Sequence, residues 1–307
     1  MKKLEISDII GILDRDEFRK LGIFLNSPYF VVSKRASALY LYISENYEAA
    51  IKGSISRDTA ARAVLGDSYT DDNSRKLFSD LNKAVEDFIT AETFFKEGTL
   101  KQLILLKALR KKGDNARHSQ KIRELSKQLG TMEPDALSYR FIAEAAEEEF
   151  NTEDPGDFHE YSEALQRWCS MLDAYYMSSK LLIYEYMFSK QMLNKSGKIY
   201  NWSMADEIFS YIESNIAVVK NENPDIYLKY LMVKMIRGNN DELMVEYSDF
   251  LRENENRFSK ENVSSYYSDL YNFATIRISA GKHEFRRPFL NLIKEIEPKG
   301  LLFDAGE

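Results

Sequence analysis

Residues Leu172–Met192 read LDAYYMSSKLLIYEYMFSKQM, and the interpretation of this run sets the class of the whole chain. Apolar side chains fall on nearly every side of the helix it would form, so most of that helix belongs in a core. Tyr176, Lys180 and Tyr184 follow one another in steps of four and share one helical face. Two tyrosine rings with an ammonium group between them, set on the inner surface of a helical array, suit a protein or peptide partner. The rings supply contact area at low entropic cost and the lysine meets a carboxylate. A role in the core is the competing reading of the same residues.

Outward from this run, strict alternation of apolar and polar residues is almost absent, while spacings of three and four recur in nearly every segment. The fold class is therefore all-α. Composition agrees, because 13 Gly and 6 Pro in 307 residues leave few places for turns between strands. Hydrophobic residues at 44% and charged residues at 30% match a soluble globular protein. A formal net charge of -7 opposes general affinity for nucleic acid or an anionic membrane. Cys169 is the only cysteine, which excludes an intramolecular disulfide and a cysteine-rich metal site and favours a reducing compartment. The start, MKKLEISDIIGILDRDEF, lacks a signal-peptide core. No stretch approaches the roughly 18 uninterrupted apolar residues of a bilayer span, and Leu181–Phe188 is broken by Glu185. A cytoplasmic protein that inserts in no membrane is expected.

Two domains are expected, a helical head over 1–97 and a helical-hairpin domain over 98–307. In the head, Phe18, Leu21 and Leu25 mark one apolar stripe and Ala36, Leu39, Ile43 and Tyr47 another. Pro28 stops the first helix at Ser27, and Ser33 is placed to cap the second. Tyr29 and Phe30, in the corner between them, are expected to pack back onto the head's core, with a docking surface as the alternative. Ser56 begins a short helix that Gly66 ends, and a long one follows with Phe78, Leu81, Val85 and Phe88 on one face. Asp71, Asp72 and Asp80 set against Arg75 and Lys76 disfavour a DNA-reading role for that helix.

From residue 98 the stripes pair off around Gly113, Gly156, Gly197, Gly238 and Gly281, at intervals of 43, 41, 41 and 43 residues. A period near 40 made of helix pairs predicts an α-solenoid, in which each hairpin buries its face on the next. The segment Ala280–Pro298, AGKHEFRRPFLNLIKEIEP, is similar to a degenerate tetratricopeptide-like repeat: Gly281 and Pro298 stand at that family's separation, while Arg286 replaces its usual alanine. Through FLNSPYF (Phe24–Phe30) and LDAYYMSSKLLIYEYM (Leu172–Met187) the chain also resembles uncharacterised Bacteroidetes-type bacterial proteins. That resemblance implies a small helical head on a helical-repeat body and implies no activity. Leu301, Leu302 and Phe303 have no capping helix after them, which predicts an array cut short or an end covered by a partner.

The inventory for catalysis is poor. His118, His159 and His283 lie far apart without the i, i+4 pairing of a zinc helix, and surface positions are expected for all three. Neither a phosphate-binding glycine loop nor a dinucleotide fingerprint is present. Cys169 sits among large apolar residues in RWCSML, which predicts a core thiol. The carboxylates of EAAEEEF, Glu144–Phe150, radiate in different directions and predict a solvated face. No catalytic set, metal or cofactor is expected.

Charge is unevenly spread. Residues 99–130 hold nine Lys or Arg against two acids, and residues 131–170 hold eleven acids against two Arg. Neighbouring hairpins of opposite sign attract across their shared edge. In the competing reading, Lys107, Arg110, Lys111, Lys112 and Arg117 grip an acidic peptide or a nucleic-acid backbone. Together these features predict a non-enzymatic protein- or peptide-binding scaffold. The alternatives are a nucleic-acid-binding regulator that uses the basic hairpin 99–130, and a helical enzyme whose titratable groups converge only in three dimensions.

Overall fold

The computed structural model describes residues 5–30, 33–153, 161–193, 197–238 and 242–300. The fold is all-α: helices and their connections account for these residues, with no strand among them. None of the described helices is long and apolar enough to cross a membrane. The chain divides between Lys101 and Gln102 into two compact units.

The first unit contains α1 (Ile6–Ile10), α2 (Arg15–Leu25), α3 (Lys34–Glu45), α4 (Tyr47–Ile51), α5 (Arg57–Leu65) and α6 (Asp71–Lys96). Asp14 caps α2 by accepting the N–H groups of Asp16 and Glu17, and Ser56 caps α5 by accepting that of Thr59. Gly66 ends α5 at φ 49°, a conformation glycine reaches without strain. Gly22 has a second reason to be glycine: a Cβ there would come within 2.5 Å of the Tyr40 hydroxyl, which donates to the Phe18 carbonyl at 3.1 Å. Phe18, Leu21, Leu39, Ile43, Leu77, Phe78, Leu81 and Val85 close the core.

Two local expectations are corrected here. Ser33 precedes α3 but its side chain makes no capping hydrogen bond. The corner aromatics are also less buried than expected. Phe30 stacks on Phe24 at 4.3 Å between ring centroids yet is 36% exposed, and Tyr29 is 85% exposed. Phe24 itself fills the space towards Phe88, at 5.7 Å, so the helices leave no room for the second ring.

The second unit takes up most of α7 (Gly98–Lys111), then α8 (Asn115–Leu129), α9 (Ala136–Phe150), α10 (Glu163–Leu193), α11 (Ala205–Ser214), α12 (Ile216–Glu222), α13 (Pro224–Gly238), α14 (Leu243–Asn254), α15 (Lys260–Ser279) and α16 (Arg286–Ile296). Gly113, Gly197 and Gly281 have φ of 72°, 71° and 88°, where a side chain would be strained, and Gly113 and Gly281 lie in turns between helices. Gly238 instead ends α13, and Gly156 lies outside the described residues, as do His159, Leu301, Leu302 and Phe303.

Helices pack largely on chain neighbours: α8 on α9, α9 on α10, α13 on α14, α14 on α15 and α15 on α16. α10 also reaches past α11 and α12 to α13. Pro224 opens α13, a first-turn position where its missing N–H costs nothing. From Ile226 to Met235 that helix is buried on most sides, and the larger core of the unit collects around it. A smaller core joins Leu103 and Leu106 to Ile122, Leu125, Leu129 and Phe141.

Candidate functional site

The basic residues of α7 and α8 are largely spoken for. Arg110 donates to both carboxylate oxygens of Glu148, at 2.9 and 3.1 Å, and Lys107 donates to Glu144 at 3.1 Å. Arg117 folds back onto Asp114 at 2.6 Å, at the start of its own helix. Lys111 and Lys112 are left exposed at the end of α7. The opposite-sign blocks therefore meet across α7 and α9. Glu148 is only 1% exposed, which corrects the expectation of a fully solvated acidic face. His118 is buried as well, 3.6 Å from Glu148, with neither ring nitrogen hydrogen-bonded. Its inward position follows from its place on the stripe of Ile122, Leu125 and Leu129, a spacing the sequence already contained.

The expected Tyr176–Lys180–Tyr184 surface is not assembled as a free face. Tyr184 is fully buried, stacks on Trp202 at 5.3 Å and donates to the Ser203 carbonyl. Burial pushes its hydroxyl up to about 12. Lys180 donates to the Ser203 hydroxyl at 3.1 Å and lies over the Tyr184 ring. Tyr176 stays 39% exposed, with its hydroxyl 3.0 Å from the Met204 sulfur. The segment before α11 thus covers this flank of α10 and occupies what was expected to hold a partner.

α10 nevertheless has an uncovered side. Ala174, Met177, Ser178, Leu181 and Tyr184 are buried, whereas Leu165, Leu172, Tyr176 and Ile183 project from the opposite side and are 39 to 51% exposed. Cys169 belongs to this outward stripe and is exposed, which corrects its expected place in the core. A helix that is apolar all round does not declare which side its neighbours will take.

The inner side of α10 leads to a set of buried polar groups. Asp225, fully buried at the start of α13, accepts hydrogen bonds from Tyr139 of α9, from Ser178 of α10 at 2.7 Å and from Lys229 one turn on at 3.2 Å. Lys229 also donates to Ser178 at 2.8 Å. Burial, reinforced by the Asp225 carboxylate, raises the Tyr139 hydroxyl far above its ordinary range. Each of these groups has a partner.

Beyond that set, α10, α13 and α15 enclose a cavity of about 480 Å³. Phe188, Met232, Ile236, Phe273 and Ile276 form apolar walls, Ser189, Asn272 and Thr275 add uncharged polar groups, and Glu185 and Asp269 bring two carboxyl groups to it from separate helices. Burial raises Asp269 to about 6, only partly offset by Lys229. Burial and then the neighbouring Asp269 charge raise Glu185 well above the carboxylate range. Neither acid accepts a hydrogen bond or forms an ion pair among the described residues. The nearest cation, Lys229, is already bonded to Asp225. A pair of titratable groups with shifted affinities for protons in an apolar cavity is the physical profile of a binding site.

A larger and more open depression of about 770 Å³ lies among Gly130–Pro134, Asn223 and Asn256–Ser259. Two of its ionic groups are engaged, since Glu133 accepts the Ser259 N–H at 2.6 Å and Arg257 contacts Asn254, while the third, Glu222, is exposed to solvent. The 480 Å³ cavity is therefore the stronger candidate. Sequence reasoning missed it, although Glu185 had stood out as a charge interrupting an apolar run. Among the described residues no three His, Cys, Asp or Glu converge to hold a metal ion. Comparison with known proteins returns no matching family model, no curated relative and no similar solved structure.

Proposed function

We propose that the protein is a non-enzymatic, cytoplasmic scaffold whose second unit, read as an array of tetratricopeptide-like hairpins, binds an amphipathic helix of a partner protein. The observation that carries this reading is the outward stripe of α10, where Leu165, Leu172, Tyr176 and Ile183 remain solvent-facing along a helix already buried on its other side. Adjacent apolar groups left in water at this density mark an interaction surface. The stripe runs for roughly 27 Å, about five turns, which suits the apolar edge of one helix. Its area, on the order of a few hundred Å², falls short of the roughly 800 Å² per partner that a stable dimer of this chain would need. Packing between successive helices and the left-handed glycines in the turns at Gly113 and Gly281 support the array reading. The basic hairpin supports a nucleic-acid partner less well, because Lys107, Arg110 and Arg117 already face carboxylates.

Cys169 offers the test, since its exposed thiol lies within the stripe. A photo-crosslinker attached there should capture, in extract from the native cell, a peptide from the apolar face of another protein's helix. The double variant Leu172→Glu/Ile183→Glu should abolish capture while leaving the far-ultraviolet circular dichroism unchanged. Capture that persists in the variant, or that joins only two copies of this chain, would contradict the proposal.

A further inference from the structure

We infer that the cavity between α10, α13 and α15 binds a primary ammonium group on an apolar stem, with Glu185 and Asp269 accepting its N–H hydrogen bonds. The ligand's chemistry follows from what the cavity offers and what it lacks. Two carboxyl groups approach from different helices, and neither has a hydrogen-bonding or ion-pair partner among the described residues. Every other ionic group nearby is engaged: Asp225 holds Tyr139, Ser178 and Lys229, and Lys229 holds Asp225 and Ser178. Two carboxyl groups thus stand in the site without a paired cation among the described residues. An ammonium group has three donors that can point to separate acceptors, whereas a guanidinium fork fits one carboxylate side-on. The walls set the rest of the ligand, since Phe188, Met232, Ile236 and Phe273 would shed water onto a chain of methylene groups and offer it no hydrogen bonds. Ser189, Asn272 and Thr275 also line the space and add hydroxyl and amide groups beside the two acids.

A free alkylamine and a lysine side chain of a partner protein share this chemistry. The inference does not depend on the partner-binding reading, because Glu185 and Phe188 lie on the side of α10 opposite Leu172 and Ile183.

Isothermal titration calorimetry of the whole chain with n-pentylammonium chloride, 1-pentanol and N-acetyl-lysine methylamide tests it. Pentylammonium should bind at least tenfold more tightly than pentanol. Glu185→Gln and Asp269→Asn should each weaken it tenfold or more, while Leu172→Glu/Ile183→Glu binds it like the parent chain. Tighter binding of the lysine amide than of pentylammonium would assign the site to a protein lysine, and the reverse order would assign it to a free amine. Equal binding of pentanol, undiminished binding by both carboxamide variants, or no heat with any cation would overturn the inference. Circular dichroism of the two variants, which keep side-chain shape and remove a charge, verifies that they fold.

Discussion

Glu148 in α9 is fully buried and Glu185 in α10 is partly buried on a cavity wall, and the chain treats the two carboxyl groups in opposite ways. Glu148 is clasped by both arms of the Arg110 guanidinium, a side-on geometry that satisfies both oxygens. Its neighbour Glu144 shows the same provision. Burial alone would raise that carboxyl, but hydrogen bonds from Lys107 and Arg140 outweigh burial and hold it below the ordinary range. Glu185 and Asp269 receive no such bonds: burial pushes both upward, and the Asp269 charge raises Glu185 further. A chain that can pair a buried acid, and does so one helix earlier, leaves these two open. An unpaired carboxyl group in an apolar surrounding costs stability when ionised and holds its proton instead, so two of them beside one cavity point to a requirement other than folding.

The contrast can be broken most severely at Arg110. Replacing it with Met keeps much of the stem's packing but strands Glu148 in the interior, and the second unit should lose about 3 to 5 kcal/mol. Urea unfolding followed by circular dichroism would show this, and a loss under 1 kcal/mol would mean that Glu148 finds water or another donor.

The opposite outcome is expected at Asp269. Its folded-state value of about 6 exceeds the ordinary 3.8, so the protonated acid is favoured by folding. The stability it contributes is fully present below about pH 4 and is lost as the pH rises through 6. Asp269→Asn should therefore stabilise the protein by about 3 kcal/mol at neutral pH, and the gain should shrink to nothing below about pH 3. Lys229 from α13, Glu185 from α10 and Tyr247 from α14 face this group, and of these Lys229 holds the midpoint down. A gain independent of pH, or a destabilised variant, would remove the distinction between the two regions.

How much of this was legible in the sequence depends on how far apart the cooperating residues lie. Local signals worked: the apolar spacing gave the helices, Ser56 and Gly66 bounded α5, and three of the five spaced glycines take left-handed backbone angles. The charge blocks on either side of residue 130 also meet, because the hairpins that carry them are consecutive. What failed was the choice of side. Cys169 and the Leu172–Ile183 stripe face outward, and Tyr184 inward, because α10 offers apolar surface in every direction and only its packing on α9 and α13 decides. His118 was misplaced for the converse reason, a polar ring on an otherwise apolar stripe. The cavity was out of reach, since Glu185 and Asp269 stand 84 positions apart on helices whose contact no local pattern encodes.

Carbon-detected nuclear magnetic resonance of the side-chain carboxyl groups between pH 3 and 8 tests the central contrast most directly. Asp269 should titrate near 6, Glu185 above the ordinary range and Glu144 below it. A single shared midpoint for all three acids, near the value of an exposed carboxylate, would contradict the account.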